Sequence, residues 1–130
     1  MGTLRIREAV AADHATLCQF NLAMAQESEG RDLDPEVLAR GVTAVLLDRS
    51  RGVYIVAERE GDVVGQLMLT SEWSDWRCGL FWWIQSVYVV PSARRTGVYR
   101  ALHAHVLSLA KAAGDVVGVR LYVEEHNVGA

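Results

Sequence analysis

The sequence has 130 residues, 51% of them hydrophobic and 22% charged, with a formal net charge of −3. That length and balance suit one folded domain and exclude a disordered chain. The slight acidic excess leaves no basic footprint for nucleic acid, and no apolar run approaches the ~20 residues that a membrane helix needs.

In chain order, the alternation of Thr3-Leu4-Arg5-Ile6-Arg7 predicts a first strand. Ala12 to Ser28 reads as a helix, with Asp13 placed to cap it and Leu17, Phe20 and Met24 at helical spacing. Glu29-Gly30-Arg31-Asp32 breaks that helix. Asp34 then reads as an N-cap with Pro35 in the first helical position, and Leu38, Val42, Val45 and Leu46 share one face. Val53 to Arg59 and Val63 to Thr70 are strand-like, with Glu60-Gly61-Asp62 as the hairpin turn. Trp73 to Gly79 reads as a loop. Leu80 to Val90 is apolar on both faces, as expected of a strand covered on both sides, and Pro91 ends it. Thr96 to Ala113 predicts a third helix with Gly114 as its C-cap, and Val116 to Val123 a last strand. The expected fold class is α+β in three layers. An antiparallel meander is followed by a strand–helix–strand crossover, which should be right-handed with parallel strands, in the order β-α-α-β-β-β-α-β.

The chemistry concentrates in Val87-Tyr88-Val89-Val90-Pro91-Ser92-Ala93-Arg94-Arg95-Thr96-Gly97-Val98-Tyr99-Arg100-Ala101-Leu102. A buried strand stops at proline, a short basic turn follows, and an amphipathic helix begins at once. The first turn of a helix offers free N–H groups and the positive end of the dipole, which suits phosphate oxygens. Gly97 allows close backbone approach, and Arg94, Arg95 and Arg100 add guanidinium groups that match phosphate geometry. The ATP-loop pattern G-x-x-x-x-G-K-[ST] and the dinucleotide pattern G-x-G-x-x-G are both absent.

Arg94-Arg95-Thr96-Gly97-Val98-Tyr99 resembles the pyrophosphate loop of the GNAT superfamily of acyl-CoA-dependent N-acetyltransferases, [QR]-x-x-G-x-[GA], with Tyr99 in place of the final small residue. The preceding Val-Tyr-Val-x-Pro strand, Val-Gly-Gln-Leu at 64–67, Leu121-Tyr122-Val123 and Asn127-x-x-Ala130 extend the resemblance over nearly the whole chain. The resemblance implies that acetyl-CoA lies where the fourth and fifth strands splay apart. Its pantetheine would pair with the Val87–Val89 edge, including Tyr88, and its pyrophosphate would sit on Arg94 to Arg100, including Thr96 and Val98. Asn127 would touch the pantetheine or acyl end, and the Val89 backbone would polarise the thioester. Gln85 and Ser86, polar in an apolar strand, fit a bulge that would assist the splay. In this family a fourth helix and two further strands follow the fifth strand, so the resemblance also implies a C-terminally incomplete domain.

The resemblance makes the acceptor a primary amine on a small molecule or a protein. Glu27 and Glu29, after the first helix, and Trp73 and Gln85 are candidates to line its site. Members of the family often carry a glutamate base on the fourth strand. Here Glu72 and Asp75 are the nearest carboxylates. A chain that binds CoA without turnover, as a sensor or assembly module, is the alternative reading. No metal is expected, since His103 and His105 cannot share a helical face and His14 with Cys18 lacks further ligands. Cys18 and Cys78 read as plain thiols of a reduced, cytoplasmic protein. No membrane or nucleic-acid partner is expected, and a homodimer is compatible with exposed strand edges.

Overall fold

The computed structural model describes residues 2–121. Its elements run β1 (Leu4–Glu8), α1 (His14–Glu29), α2 (Pro35–Leu47), β2 (Val53–Arg59), β3 (Asp62–Ser74), β4 (Gly79–Val89), α3 (Val98–Ala113) and β5 (Val116–Leu121), with short 3-10 turns at Ala11–Asp13 and Pro91–Ala93. One sheet holds the five strands in sequence order. The first three pairings are antiparallel, and β4 pairs with β5 in parallel across the α3 crossover. No helix among the described residues is long and apolar enough to cross a membrane.

The sheet separates two apolar layers. On one face α3 packs Val98, Leu102 and Val106 against Ile55, Leu67, Leu69 and Ile84. On the other, α1 and α2 bring Leu17 and Val42 onto Tyr54 and Val56. This double cover explains why β4 carries apolar residues on both faces. Trp82 joins the α3 layer, while Trp83 lies beneath the Arg120 guanidinium on the opposite face, 5.3 Å from its ring centroid, as the alternation of the strand requires.

Local chemistry sets the boundaries. Glu60 and Gly61, at φ 54 and 84, give the two left-handed residues that a tight hairpin demands. Asp34 accepts from the N–H groups of Glu36 and Val37 at 2.9 and 3.4 Å, with Pro35 leading the helix. Gly114 ends α3 in the left-handed conformation at φ 81. Three boundaries differ from the expectation. The Trp73–Gly79 segment is mostly hairpin, since β3 continues to Ser74 and β4 starts at Gly79 with Ser74 opposite Gly79. Cross-strand pairing there overrides the polar, turn-like composition. Helix α3 begins at Val98 because Arg95 and Gly97 take left-handed φ values of 63 and 88. Asp13 does not cap α1 with its side chain.

Asp13 has a different task. Its carboxylate accepts both Arg7 guanidinium N–H groups at 2.7 and 2.9 Å and the Val10 N–H at 2.7 Å. Arg7 also reaches Glu58 at 2.6 Å, so one guanidinium ties β1, β2 and the turn into α1 together. The Arg7 hydrogen bond holds the nearly buried Asp13 carboxyl below its ordinary 3.8, and the Val10 N–H adds to it. The folded pKa is depressed, so this contribution to stability is present above 3.8 and is lost as pH falls through the folded value. Asp13→Ala should cost about 2 kcal/mol, the worth of hydrogen bonds to a charged group. It should also flatten the acid limb of the stability profile. Urea unfolding of both proteins between neutral pH and pH ~3 checks both effects.

Candidate functional site

The site starts with a defect in the sheet. Tyr88 pairs with Gln66 and Gln85 with Met68, so Ser86 and Val87 together face the single residue Leu67. Such an extra residue is a β-bulge, which bends its strand. Ser86 sits at φ 55, in a region that side chains other than glycine rarely adopt. The fully buried Gln66 donates from Nε2 to the Ser86 carbonyl at 2.9 Å. Its Oε1 has no protein partner among the described residues.

The bulge changes the alternation of β4. Val87 and Val89 join the α3 layer, while Tyr88 faces α1, where its ring lies 5.1 Å from that of Phe20. Pairing with β5 reaches only Ile84 opposite Leu121 within the described residues, whereas β4 runs on to Val89. The end of β4 therefore continues past the described part of its neighbour.

The basic turn follows directly. The Arg94 Nε–H donates to the Val89 carbonyl at 2.9 Å. Thr96 donates to the Ala93 carbonyl at 2.5 Å and accepts from Arg59 of β2 at 3.0 Å. Gly97 is the N-cap of α3 and carries no side chain to occupy the first-turn N–H groups; the helical bonds open with Ala101 N–H to the Gly97 carbonyl at 3.0 Å. A groove of about 760 Å³ is lined by Val89, Ala93, Arg94, Arg95, Gly97, Val98, Tyr99 and Arg100. The helix N-terminus and three guanidinium-bearing residues converge on it, which is an anion-binding arrangement. Burial pushes the Tyr99 phenol upward, so its hydroxyl remains a proton donor at neutral pH.

Gly65 seats this helix. Opposite Val89, it is so close to α3 that an added Cβ would fall 2.8 Å from the Val98 side chain and 3.3 Å from the Tyr88 carbonyl. Only a residue without a Cβ lets the first turn of α3 approach the end of β4 this closely.

The other candidates divide between two places. Gln85 donates to Thr70 at 2.8 Å, and Glu72 accepts from the Trp83 indole at 2.7 Å and pairs with Arg120 at 3.7 Å. These groups form a polar stripe along the sheet face that carries α1. Glu72 lies six residues from Gln66, roughly 20 Å along the strand, and Asp75 lies in the turn beyond it. Trp73 and Trp76 beside them are 60% and 94% exposed. Glu27 and Glu29 lie in the last turn of α1 and not after it, because the helix runs on to Glu29 before the left-handed Gly30 stops it; the Glu27 carboxylate is 2.7 Å from Arg94. Asn127 lies outside the described residues. Cys18 is raised by burial, which suits an inert thiol. No group of three or more metal-ligating side chains occurs among the described residues. Arg59 and Thr70 were not singled out from sequence, and Gly65 and Gln66 entered only as part of the Val-Gly-Gln-Leu match. For Gln66 the signal was a lone amide in an apolar strand. Arg59 and Thr70 carried none, because their partners are distant in the chain.

With this geometry in place, the comparisons are decisive. The acetyltransferase (GNAT) family model matches residues 15–130. The chain belongs to the GNAT acetyltransferase family. A structure of a possible acetyltransferase from Clostridium difficile 630 is 45% identical, with a TM-score of 0.90, covering 97% of this chain and 83% of that one. A predicted acetyltransferase from Clostridium acetobutylicum, solved with acetyl-CoA, shares the fold at 16% identity and a TM-score of 0.77, covering 98% and 85% of the two chains. The ribosomal-protein-alanine N-acetyltransferase of Brucella melitensis biovar Abortus 2308 also shares the fold, at 16% identity and a TM-score of 0.77, covering 96% and 83%. No curated protein matches the chain.

Gln66→Met keeps the volume of the side chain but leaves the Ser86 carbonyl without its donor. The expected result is a loss of about 1 kcal/mol, the net worth of one hydrogen bond, because the variant also removes the unpartnered Oε1. Faster amide exchange at Val87 and Tyr88 should accompany it, and urea unfolding with hydrogen exchange measures both.

Proposed function

We propose that this GNAT protein transfers an acetyl group from acetyl-CoA to a primary amine. The observation that carries the reading is the groove at the start of α3, where Arg94, Arg95, Gly97 and Arg100 meet beside the end of β4. The residues present fit the group. The first-turn N–H groups of α3 and the three arginines suit a pyrophosphate, and the edge of β4 from Val87 to Val89 suits an extended amide-bearing arm in the manner of an added strand. Acetyl-CoA supplies an activated acyl thioester. The chain's own residues bind the phosphates, align the arm along β4 and, through backbone N–H at Val89, polarise the carbonyl under attack.

The acceptor side is the polar stripe of Gln85, Thr70, Trp83 and Glu72, with the α1 end at Glu27 and Glu29 and the indole of Trp73 at its borders. An amine must lose a proton before it attacks. Glu72 and Asp75, the carboxylates of that side, lie too far along the strand from Val89 to take this proton directly, so the proton leaves to solvent. The amine nitrogen then bonds to the carbonyl carbon, and the carbon–sulfur bond breaks to release CoA. An unliganded cap role for the basic turn predicts no affinity for CoA, and a silent binding module predicts affinity without turnover.

Calorimetric titration with CoA tests the reading first. The protein should bind, and the double variant Arg94→Ala with Gly97→Glu should lose affinity by roughly tenfold to a hundredfold, since one charge-assisted contact is worth about 1.5–3 kcal/mol. Binding should weaken as salt is raised. No binding by a folded wild-type sample, or equal binding by the double variant, overturns the assignment. Release of CoA thiol in a screen of amines, above the rate without protein, separates the enzyme from a silent module.

A further inference from the structure

Arg94 is committed to three contacts. Its Nε–H donates to the Val89 carbonyl at 2.9 Å, its Nη2 meets Glu27 at 2.7 Å, and its guanidinium lies 5.5 Å from the centroid of the Tyr88 ring. Glu27 belongs to the last turn of α1, which holds no basic residue. The negative end of the α1 dipole therefore adds to the pull of Glu27 on Arg94. The pair joins residues 67 apart in sequence, and both side chains are half-exposed. Arg94 also lines the groove at the start of α3. A doubly anionic pyrophosphate in that groove and the Glu27 carboxylate must share one guanidinium, and as like charges they repel each other.

We propose that Glu27 is an internal counter-ion that competes with the phosphate of acyl-CoA for Arg94 and so sets the affinity of the cofactor groove. This inference rests on the acyl-CoA reading of the loop. Glu27 holds Arg94 across the Val89 carbonyl, a backbone group of the proposed pantetheine edge. Phosphate entry draws Arg94 off Glu27. The end of α1 then loses its tie to the basic turn, so occupancy of the cofactor groove is transmitted to the acceptor side. The device is a surface pair of modest strength, of the size that tunes affinity without abolishing binding.

The test is a double-mutant cycle read by CoA calorimetry on wild type, Glu27→Gln, Arg94→Ala and the double variant, with thermal midpoints as a folding control. Glu27→Gln should bind CoA roughly two- to fivefold tighter, the range open to an exposed ion pair. The gain should vanish when Arg94 is already alanine. A contact that merely held the loop in shape would give the opposite sign, with weaker binding on loss of Glu27. Equal or weaker binding by Glu27→Gln overturns the inference, as does a gain that persists without Arg94, because that gain would be a long-range charge effect. Absence of CoA binding in both wild type and Glu27→Gln overturns the acyl-CoA reading itself, which distinguishes the two failures.

Discussion

The buried donation from Gln66 to the Ser86 carbonyl governs how β4 ends. A strand with period-two alternation would carry Val87 on the same face as Gln85. The extra residue at Ser86 and Val87 reverses that parity, so Val87 and Val89 join the α3 layer and Tyr88 turns to α1. A left-handed Ser86 is costly in isolation. It persists because Gln66 satisfies its carbonyl within a core that excludes water. The bend carries the end of β4 past the described part of β5.

The shape of the basic turn depends on that bend and on close packing. Gly65 brings α3 against the end of β4, Gly97 and Arg95 adopt left-handed backbone to turn the chain, and Arg59 reaches from β2 to Thr96. Each contact limits the freedom of a loop that would otherwise have to be ordered when a ligand binds. Preorganised N–H groups and guanidiniums bind an anion with less entropic cost than a mobile loop. The same loop reaches α1 through the ion pair of Arg94 with Glu27.

On the β1–β2 side of the sheet the Arg7–Asp13–Glu58 network holds β1, β2 and the entry to α1 together. It leaves the end of β4 clear. Two of the left-handed non-glycine residues, Ser86 and Arg95, flank the end of β4.

Much of this was legible in the sequence. The turn at Glu60-Gly61, the Asp34-Pro35 helix start, the apolar face of α3 and the basic Arg94–Gly97 turn are local features whose residue types and spacing are their own cause. The polar pair Gln85-Ser86 pointed to a bulge in β4. What the tertiary structure alone decided were the choices made between distant residues. Asp13 serves Arg7 and Val10 instead of the α1 N-terminus, Gln66 secures the bulge, Arg59 braces Thr96, and Glu27 takes Arg94. A side chain able to make several hydrogen bonds carries no mark of which partner it will meet. That selection follows from packing two helical layers onto the sheet, because burial leaves each polar group only the partners that the fold brings within about 3 Å.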